Sequence, residues 1–236
     1  MGIYLNNIFN EEISISSLKT NKMKTKVYRL IMKEILLGQY HPGDKILIKD
    51  LSEKYNVSTT PIREALTKLE NEGILSKEPY KSYEIREYSY EEIKKIYEVR
   101  MIIETEVVKL ATNKLNERMD KKFQSILEKS NQVIQEGKYE EFNECNSAFH
   151  FCIFETAKND YLLEILENIN KQIIILNYQA FPEYNAQKIK RLGEALKEHQ
   201  DIYEYIKNKN SEKASNLMKK HLLKSLKRFE KNEHEK

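Results

Sequence analysis

The fold is decided by residues 48–73, which read IKDLSEKYNVSTTPIREALTKLENEG. Apolar residues recur at helical spacing on both sides of Asn56, a residue type that tolerates the left-handed conformation of a sharp turn. The run STTP at 58–61 is typical of a hydroxyl N-cap with proline at the first helical position. We therefore expect one helix over Ile48–Tyr55 and a second over Pro61–Glu72, which together form a helix-turn-helix.

The segments on both sides complete a winged domain. A first helix is expected between Asn21 and Gly38, where apolar residues again recur at helical spacing before a Pro-Gly turn. After the helix-turn-helix, the alternating segments 74–77 and 83–87 predict a small β-hairpin, the wing. The sequence thus predicts a winged helix-turn-helix domain over residues 21–88, preceded by a loosely held arm of residues 1–20.

Residues 89–236 have a different character, since Gly and Pro are rare and amphipathic helical patterns follow one another. Six helices are expected, near residues 90–114, 117–136, 139–157, 161–180, 187–208 and 211–231. An antiparallel bundle is the natural way to bury six such apolar faces. The predicted fold class is therefore mostly α, with an N-terminal winged helix-turn-helix domain and a C-terminal antiparallel all-α helical bundle.

Composition limits the class of protein. The 236 residues include 40 Lys and Arg against 37 Asp and Glu, a formal net charge of +3, which excludes a collagen-like chain, a disulfide scaffold and a low-complexity tail. A stretch of about 18 apolar residues is absent, so we expect no membrane association. Cys145 and Cys152 lie too far apart along one helical pattern to bond to each other, which fits a reducing cytoplasm.

The second helix of a helix-turn-helix lies in the major groove of DNA, so exposed residues at its N-terminal end are candidates for DNA contact. Arg63 lies in the first turn, away from the inward apolar residues, and its guanidinium suits guanine or a phosphate. Ser58, Thr59 and Thr60 offer hydroxyls and helix N-terminal amides to a phosphate, and Lys81 lies at the wing tip. The alternative is a small helical subdomain with solvated charges and an ordinary N-cap.

Three of the five histidines fall on different helices of the predicted bundle: His150, His199 and His221. His199 and His221 belong to apolar seams that face the bundle core, and His150 shares a face with phenylalanine and isoleucine residues. A single histidine on an apolar face is more often a hydrogen-bonded core residue. Three that converge are different, because burying several imidazoles without a common partner is costly and their neutral nitrogens suit zinc, nickel or a similar metal.

Several motifs are shared with a known family. In the first domain they are Gly38-x-x-x-Pro42-Gly43-Asp44, Leu51-Ser52-Glu53, Val57-Ser58-Thr59-Thr60-Pro61-Ile62-Arg63-Glu64-Ala65-Leu66 and Leu69-Glu70-x-Glu72-Gly73-Ile74-Leu75. On these residues the chain resembles the GntR family of bacterial transcription regulators. The segment Tyr90–Glu104 is similar to the start of the FCD ligand-binding domain of the FadR-type subfamily, and six helices favour its VanR-like type.

The resemblance implies a ligand-responsive DNA-binding transcription regulator rather than an enzyme. It is expected to act as a repressor that binds an inverted-repeat operator in double-stranded DNA as a homodimer. The residues that match the family's DNA contacts are Lys49, Ser58, Thr60, Arg63 and Lys81. Thr59 stands where the family usually has arginine, and Ser82 where it has the wing-tip glycine, so we expect an operator different from that of the commoner members.

The resemblance also implies a metal site and an effector. The positions that match the family's metal ligands are Asn146, His150, His199 and His221. Asn146 replaces an aspartate, and its amide oxygen brings no charge, which leaves more positive charge to attract an anion. The implied cofactor is a divalent metal ion, zinc first and nickel or another transition metal as alternatives, and the implied effector is a small organic acid. Arg100 is the candidate partner for the acid, unless it forms an ordinary surface pair with Glu104 one turn away.

Two other classes of function are compatible with these residues. Three histidines with an open coordination position also describe a metal-dependent hydrolase. Against that class, the sequence has no His-Glu-x-x-His helix and no motif that places a carboxylate as general base. A helical adaptor with no ligand is the other alternative.

Overall fold

A computed structural model describes residues 20–36, 39–77, 82–180 and 186–233. The chain divides into two compact units. Unit 1 comprises Met1–Glu87 and Lys171–Gln179, and unit 2 comprises Tyr88–Asn170 and Ala180–Lys236. The predicted N-terminal arm lies almost wholly outside the described residues.

The described parts of the chain contain helices and three short strands. In chain order the helices are α1 (Thr20–Leu36), α2 (Ile48–Tyr55), α3 (Thr59–Asn71), α4 (Tyr90–Lys114), α5 (Glu117–Gln135), α6 (Phe142–Ala157), α7 (Asp160–Ala180), α8 (Ala186–Lys207) and α9 (Ser211–Glu233). The strands are β1 (Lys45–Ile46), β2 (Leu75–Lys77) and β3 (Tyr83–Ile85). None of these helices combines the length and the apolar character that crossing a membrane requires.

The helix-turn-helix of unit 1 forms from α2, a turn and α3, as predicted. Asn56 takes the left-handed conformation, with φ 51° and ψ 51°, and ends α2. The buried face of α3 consists of Pro61, Ile62, Ala65, Leu66 and Leu69. Burying an aliphatic side chain such as leucine contributes about 1.5–3 kcal/mol, so this face holds α3 against the rest of the unit.

The start of α3 differs from the prediction in two details. Pro61 occupies the third helical position rather than the first, because the helix begins at Thr59. Proline is tolerated there, since the first N–H groups of a helix have no intrahelical acceptor in any case. The N-cap residue is consequently Ser58, and its side chain makes no capping hydrogen bond.

The wing contains one strand more than the predicted hairpin. β2 pairs antiparallel with β3, with Leu75 opposite Ile85. β1 pairs with the other edge of β3, with Ile46 opposite Tyr83, which gives the strand order β1-β3-β2. Because β1 has only two residues, it is too short to show the alternation that identifies a strand in a sequence. The wing tip with Lys81 lies outside the described residues.

The six predicted C-terminal helices all form, and their boundaries lie within three residues of the expected ones. A capping box begins α4, because the Ser89 side chain accepts from the Glu92 amide while the Glu92 side chain accepts from the Ser89 amide. One element differs from the prediction, since a 3-10 turn over Tyr139–Glu141 precedes α6. Within unit 2, α4 packs along α9 and α6, and α5 packs along α6 and α8.

Candidate metal centre and nucleic-acid interface

The structure brings His150, His199 and His221 together inside unit 2. They lie on α6, α8 and α9, and their exposed fractions are 3%, 0% and 3%. One ring nitrogen from each lies within 4.8 Å of those of the other two. The Nε2 atoms of His199 and His221 are 3.4 Å apart. Three helices therefore contribute one imidazole each to a single buried cluster.

Helical periodicity explains why these rings point inward. Ala195 and Tyr203 lie one turn before and one turn after His199 on the buried face of α8. Met218 occupies the corresponding place before His221 on α9. Since apolar neighbours at helical spacing fix which face of each helix is buried, they also bury the histidines between them.

A buried carboxylate orients His150. Glu104 on α4 accepts a hydrogen bond from Arg100 Nε at 2.6 Å, and its other oxygen lies 2.5 Å from His150 Nδ1. Burial by itself raises the pKa of Glu104, but attraction by Arg100 and His150 and the hydrogen bonds from both lower this pKa to about 2. An ionised carboxylate only accepts hydrogen bonds, so Nδ1 of His150 is the donor.

A second carboxylate orients His221 in the same way. Oε2 of Glu198 lies 2.7 Å from His221 Nδ1, and Oε1 accepts a hydrogen bond from Lys224 Nζ at 2.5 Å. Burial raises the pKa of Glu198, but the hydrogen bonds from His221 and Lys224 lower it to about 2. Burial lowers the pKa of His221 to about 4 against the opposing effect of Glu198. The His221 ring is therefore neutral at pH 7, with its lone pair on Nε2.

His199 is held by ring stacking rather than by a carboxylate. It stacks on Phe149 with ring centroids 4.1 Å apart and an angle of 13° between the planes. Burial lowers the pKa of His199 well below its ordinary value, and repulsion from the neighbouring histidines in their protonated forms and from nearby arginines lowers it further. Its Nδ1 atom has no hydrogen-bond partner in the described parts of the chain. His199 is thus a neutral imidazole with an unsatisfied nitrogen.

The donor set fits a divalent transition metal. Nε2 of His150 is buried without a hydrogen-bond partner among the described residues, which is costly unless another group binds it. Two nitrogens bound at about 2.1 Å to one tetrahedral ion lie about 3.4 Å apart. The Nε2 atoms of His199 and His221 have this separation, 3.4 Å. Neutral imidazole is also the ligand type that zinc and nickel bind well.

The other two residues predicted for this site lie on helices that contact the cluster. Asn146 is half-buried on α6, one turn before His150. Arg100 does pair with Glu104, but the two side chains are only 5% and 2% exposed. The interpretation of this pair as an ordinary surface pair is therefore wrong. Metal ligation by Asn146 and effector binding by Arg100 stay predictions.

The exposed face of the helix-turn-helix carries the predicted DNA contacts that the structure describes. Lys49 on α2 is exposed, and so are Ser58, Thr59, Thr60 and Arg63 at the start of α3. The apolar residues of α3 are buried on its opposite face. Amides in the first turn of a helix lack a helical acceptor and attract phosphate, so this end of α3 is suited to the DNA backbone.

Two family models match the chain. The model for bacterial regulatory proteins of the gntR family matches residues 23–85, and the model for the FCD domain matches residues 95–224. The chain belongs to the GntR family of bacterial regulatory proteins and carries an FCD domain. The resemblance inferred from the sequence motifs is therefore confirmed.

This regulator is similar to other bacterial regulators along most of its length. It is 30% identical over 200 residues to the HTH-type transcriptional regulator YdhC of Bacillus subtilis strain 168, across 83% of this chain and 84% of YdhC. It is 22% identical over 203 residues to the HTH-type transcriptional repressor RspR of Escherichia coli strain K12, across 86% of this chain and 87% of RspR. The chain is a transcriptional regulator and not an enzyme, so the hydrolase alternative is dropped.

A solved structure shows the same fold. Escherichia coli McbR/YncC matches with a TM-score of 0.77 and 21% sequence identity, over 89% of this chain and 98% of McbR/YncC. The winged helix-turn-helix and the helical FCD domain therefore form the fold that the sequence predicts.

Sequence reasoning missed the two carboxylates of the regulator's histidine cluster. A signal existed for Glu104, because Arg100 and Glu104 fall on the same face of α4 as the buried Tyr97. Charged residues at core positions are rarely buried unless they are paired. Glu198 gave no comparable signal, since its bond to His221 joins two helices and depends on how α8 and α9 pack.

Proposed function

We propose that this regulator is a homodimeric repressor that binds an inverted-repeat operator and senses a small organic acid at a divalent metal ion, zinc or nickel. The observation that carries the proposal is the buried cluster of His150, His199 and His221. Nε2 of His150, which faces the other two rings of the cluster, lacks a hydrogen-bond partner among the described residues. Buried histidines that serve only the core normally have such partners, so a bound ion explains the cluster better.

The winged domain supports the operator part of the proposal. The exposed Arg63 and its neighbours at the start of α3 form the end of the helix that enters the major groove in helix-turn-helix proteins. A two-fold symmetric dimer presents two such helices, and therefore reads an inverted repeat. The relative RspR is named a repressor, which favours repression here. Because chromosomal DNA is the target, we place the regulator in the cytoplasm.

The FCD domain supports the sensing part of the proposal. Asn146, His150, His199 and His221 would hold the metal ion, which supplies a positive centre able to bind a carboxylate. The Nε–H of Arg100 is donated to Glu104, so the terminal nitrogens of Arg100 are the donors that would bind the acid. The acid changes DNA binding only if it binds one arrangement of the reading heads more tightly than another.

Metal content tests the sensing site. His199→Ala and His221→Ala each remove one ligand, and we expect each purified variant to contain less metal than the wild type by elemental analysis. His41→Ala is the matched control, because His41 is exposed in a turn of unit 1. Undiminished metal in both cluster variants, with their folding verified by circular dichroism, would mean that these histidines serve only the core.

Selection of DNA tests the operator. The purified, metal-loaded protein is incubated with a pool of random duplexes, and bound sequences are recovered and compared over several rounds. We expect enrichment of one inverted repeat, whose genomic position then indicates the class of acid. Failure of the folded, metal-loaded protein to enrich any sequence would contradict the proposed operator binding. It would also indicate that Thr59 and Ser82, which depart from the family pattern, accompany a loss of specific DNA binding.

A further inference from the structure

Two of the three clustered histidines are oriented by carboxylates, and these carboxylates are held very differently. The Glu198 side chain is 11% exposed, and its support is Lys224, whose side chain is 64% exposed. The Glu104 side chain is 2% exposed, and Arg100, which holds it, is 5% exposed. A charge is tolerated in such a buried place only when its partners are fixed. Glu104 is therefore the more rigid of the two supports.

We propose that Glu104 is a positioning residue that holds His150 through Nδ1 and so leaves Nε2 of His150 facing the cluster. The proposal rests on the metal site proposed above and extends it to a residue outside the ligand set. Oε2 of Glu104 lies 2.5 Å from Nδ1 of His150. A carboxylate accepts hydrogen bonds and donates none, so Nδ1 of His150 carries the N–H of this bond, and the tautomer that fits the bond is the Nδ1–H form. The lone pair that a metal ion requires is then on Nε2.

The atom left for the metal is the one that the structure leaves unsatisfied. Nε2 of His150 is buried and has no hydrogen-bond partner among the residues that the structure describes. The ring centroid of His150 lies 5.5 Å from that of His199 and 5.4 Å from that of His221. The bond to Glu104 thus satisfies one nitrogen of His150 and leaves the other for a ligand shared with two further imidazoles.

Arg100 determines the orientation of the side-chain amide in a Glu104→Gln variant. Its Nε donates to Oε1 of Glu104 at 2.6 Å, and a guanidinium has donors only. In a Glu104→Gln variant the amide oxygen must therefore face Arg100, and the amide NH2 group must face Nδ1 of His150. His150 would then carry its proton on Nε2, where it blocks metal binding. This variant preserves the shape of the side chain and reverses the direction of the hydrogen bond to His150. An effect on metal binding would therefore come from the orientation of His150 and not from a change in packing.

Imidazole nitrogen NMR of the metal-free protein measures the proposed tautomer directly. The chain has five histidines, so selective 15N-histidine labelling gives few signals, which single substitutions assign. We expect the Nδ1–H form of His150 in the wild type and the Nε2–H form in Glu104→Gln. Glu104→Asp keeps a carboxylate and should retain the Nδ1–H form. Glu106→Gln is the matched control, because Glu106 follows on the same helix with its side chain 67% exposed.

Zinc affinity, measured by competition with a chelator, gives the second readout. Groups that orient a metal-binding histidine typically change metal affinity about 10–100-fold when they are removed. We expect a loss of about that size in Glu104→Gln. A smaller loss is expected in Glu198→Gln, whose carboxylate is held by an exposed lysine, and no change in Glu106→Gln.

Two results would overturn the role of Glu104. One is a wild-type His150 that carries its proton on Nε2 in the metal-free protein, and the other is wild-type zinc affinity in a folded Glu104→Gln variant. If Glu104→Gln does not fold, the tautomer of His150 in the wild type and in Glu104→Asp still tests the role of Glu104. Failure of the metal site itself is distinct, since the wild type would then bind no zinc while the tautomer of His150 still tests the positioning by Glu104.

Discussion

At the scale of single residues, each carboxylate that contacts the histidine cluster is paired with a cation. Arg100 neutralises Glu104, and Lys224 neutralises Glu198, within hydrogen-bond distance in both cases. The histidine ligands are neutral imidazoles when they bind a metal. A divalent ion held by them would therefore keep its full charge, because the fourth predicted ligand, Asn146, is also neutral. A centre of this kind favours an anionic ligand such as a carboxylate.

Replacing Asn146 by aspartate tests this charge argument. Asn146→Asp adds a negative ligand, so we expect zinc to bind about tenfold more tightly, since affinity rises with ligand charge. The measurement is competition with a chelator at fixed pH. Asn131→Asp, at an exposed position of α5, adds the same charge away from the cluster and should leave the affinity unchanged. Equal affinities in the wild type and Asn146→Asp would remove Asn146 from the ligand set.

At the scale of secondary structure, the sequence predicts most of the fold and less of the site. The long helices show apolar periodicity and end at turn residues, so their positions follow from the sequence. β1 is a strand because it pairs with the edge of β3. A segment of two residues is too short for this pairing to be predicted from its own sequence. The histidine cluster could be predicted from the sequence because its three members are of one residue type that binds metal ions. Their carboxylate partners depend on contacts between helices that periodicity does not contain.

The contact between α8 and α5 is partly polar and gives a pH-dependent prediction. Tyr203 OH donates to Asp120 Oδ1 at 2.7 Å. Burial and this hydrogen bond raise the pKa of Tyr203 to about 12. Between pH 10 and 12 the unfolded chain loses the tyrosine proton while the folded chain keeps it, so Tyr203 makes the folded state lose stability as the pH rises through this range.

Tyr203→Phe should therefore have two effects on urea unfolding. At pH 7 we expect a loss of about 1 kcal/mol, the typical contribution of one hydrogen bond. Between pH 10 and 12 the stability of the variant should fall less steeply than that of the wild type. Tyr161→Phe is the control, because the Tyr161 side chain is 83% exposed. If the free energy of unfolding falls equally steeply with pH in the wild type and in Tyr203→Phe, the raised pKa of Tyr203 is contradicted.

The N-terminal end of α3 gives a prediction for DNA binding. Arg63→Ala removes an exposed guanidinium where the helix would meet the groove, and each lost bidentate contact costs about 1–3 kcal/mol. Since the proposed dimer would lose this contact twice, we expect specific operator binding to be lost in a gel-shift assay with the selected duplex. Lys68→Ala removes a charge near the other end of α3 and should retain specificity. Unchanged operator affinity in Arg63→Ala would show that α3 does not read the DNA through this residue.

At the scale of the whole molecule, the proposed DNA-reading residues and the proposed sensing site belong to different compact units. Arg63 lies in unit 1, whereas the three clustered histidines lie in unit 2. We therefore expect Arg63→Ala to affect DNA binding and leave metal content unchanged, since Arg63 is not among the predicted metal ligands. Regulation by the proposed acid would then require a free-energy coupling between the two sites, in which the acid and the DNA each change the affinity for the other by the same factor.

Metal binding should stabilise the folded protein, because the three histidines predicted as ligands converge only in the native state. At a free zinc concentration about 100 times the Kd, the expected gain is about 2.7 kcal/mol. That gain raises the melting temperature of a domain of this size by about 5–10 °C. Arg63→Ala should show the same gain as the wild type, whereas His221→Ala should show little. A zinc-induced shift of equal size in His221→Ala would place the stabilising ion elsewhere on the molecule, and no shift in the wild type would contradict metal binding by the native cluster.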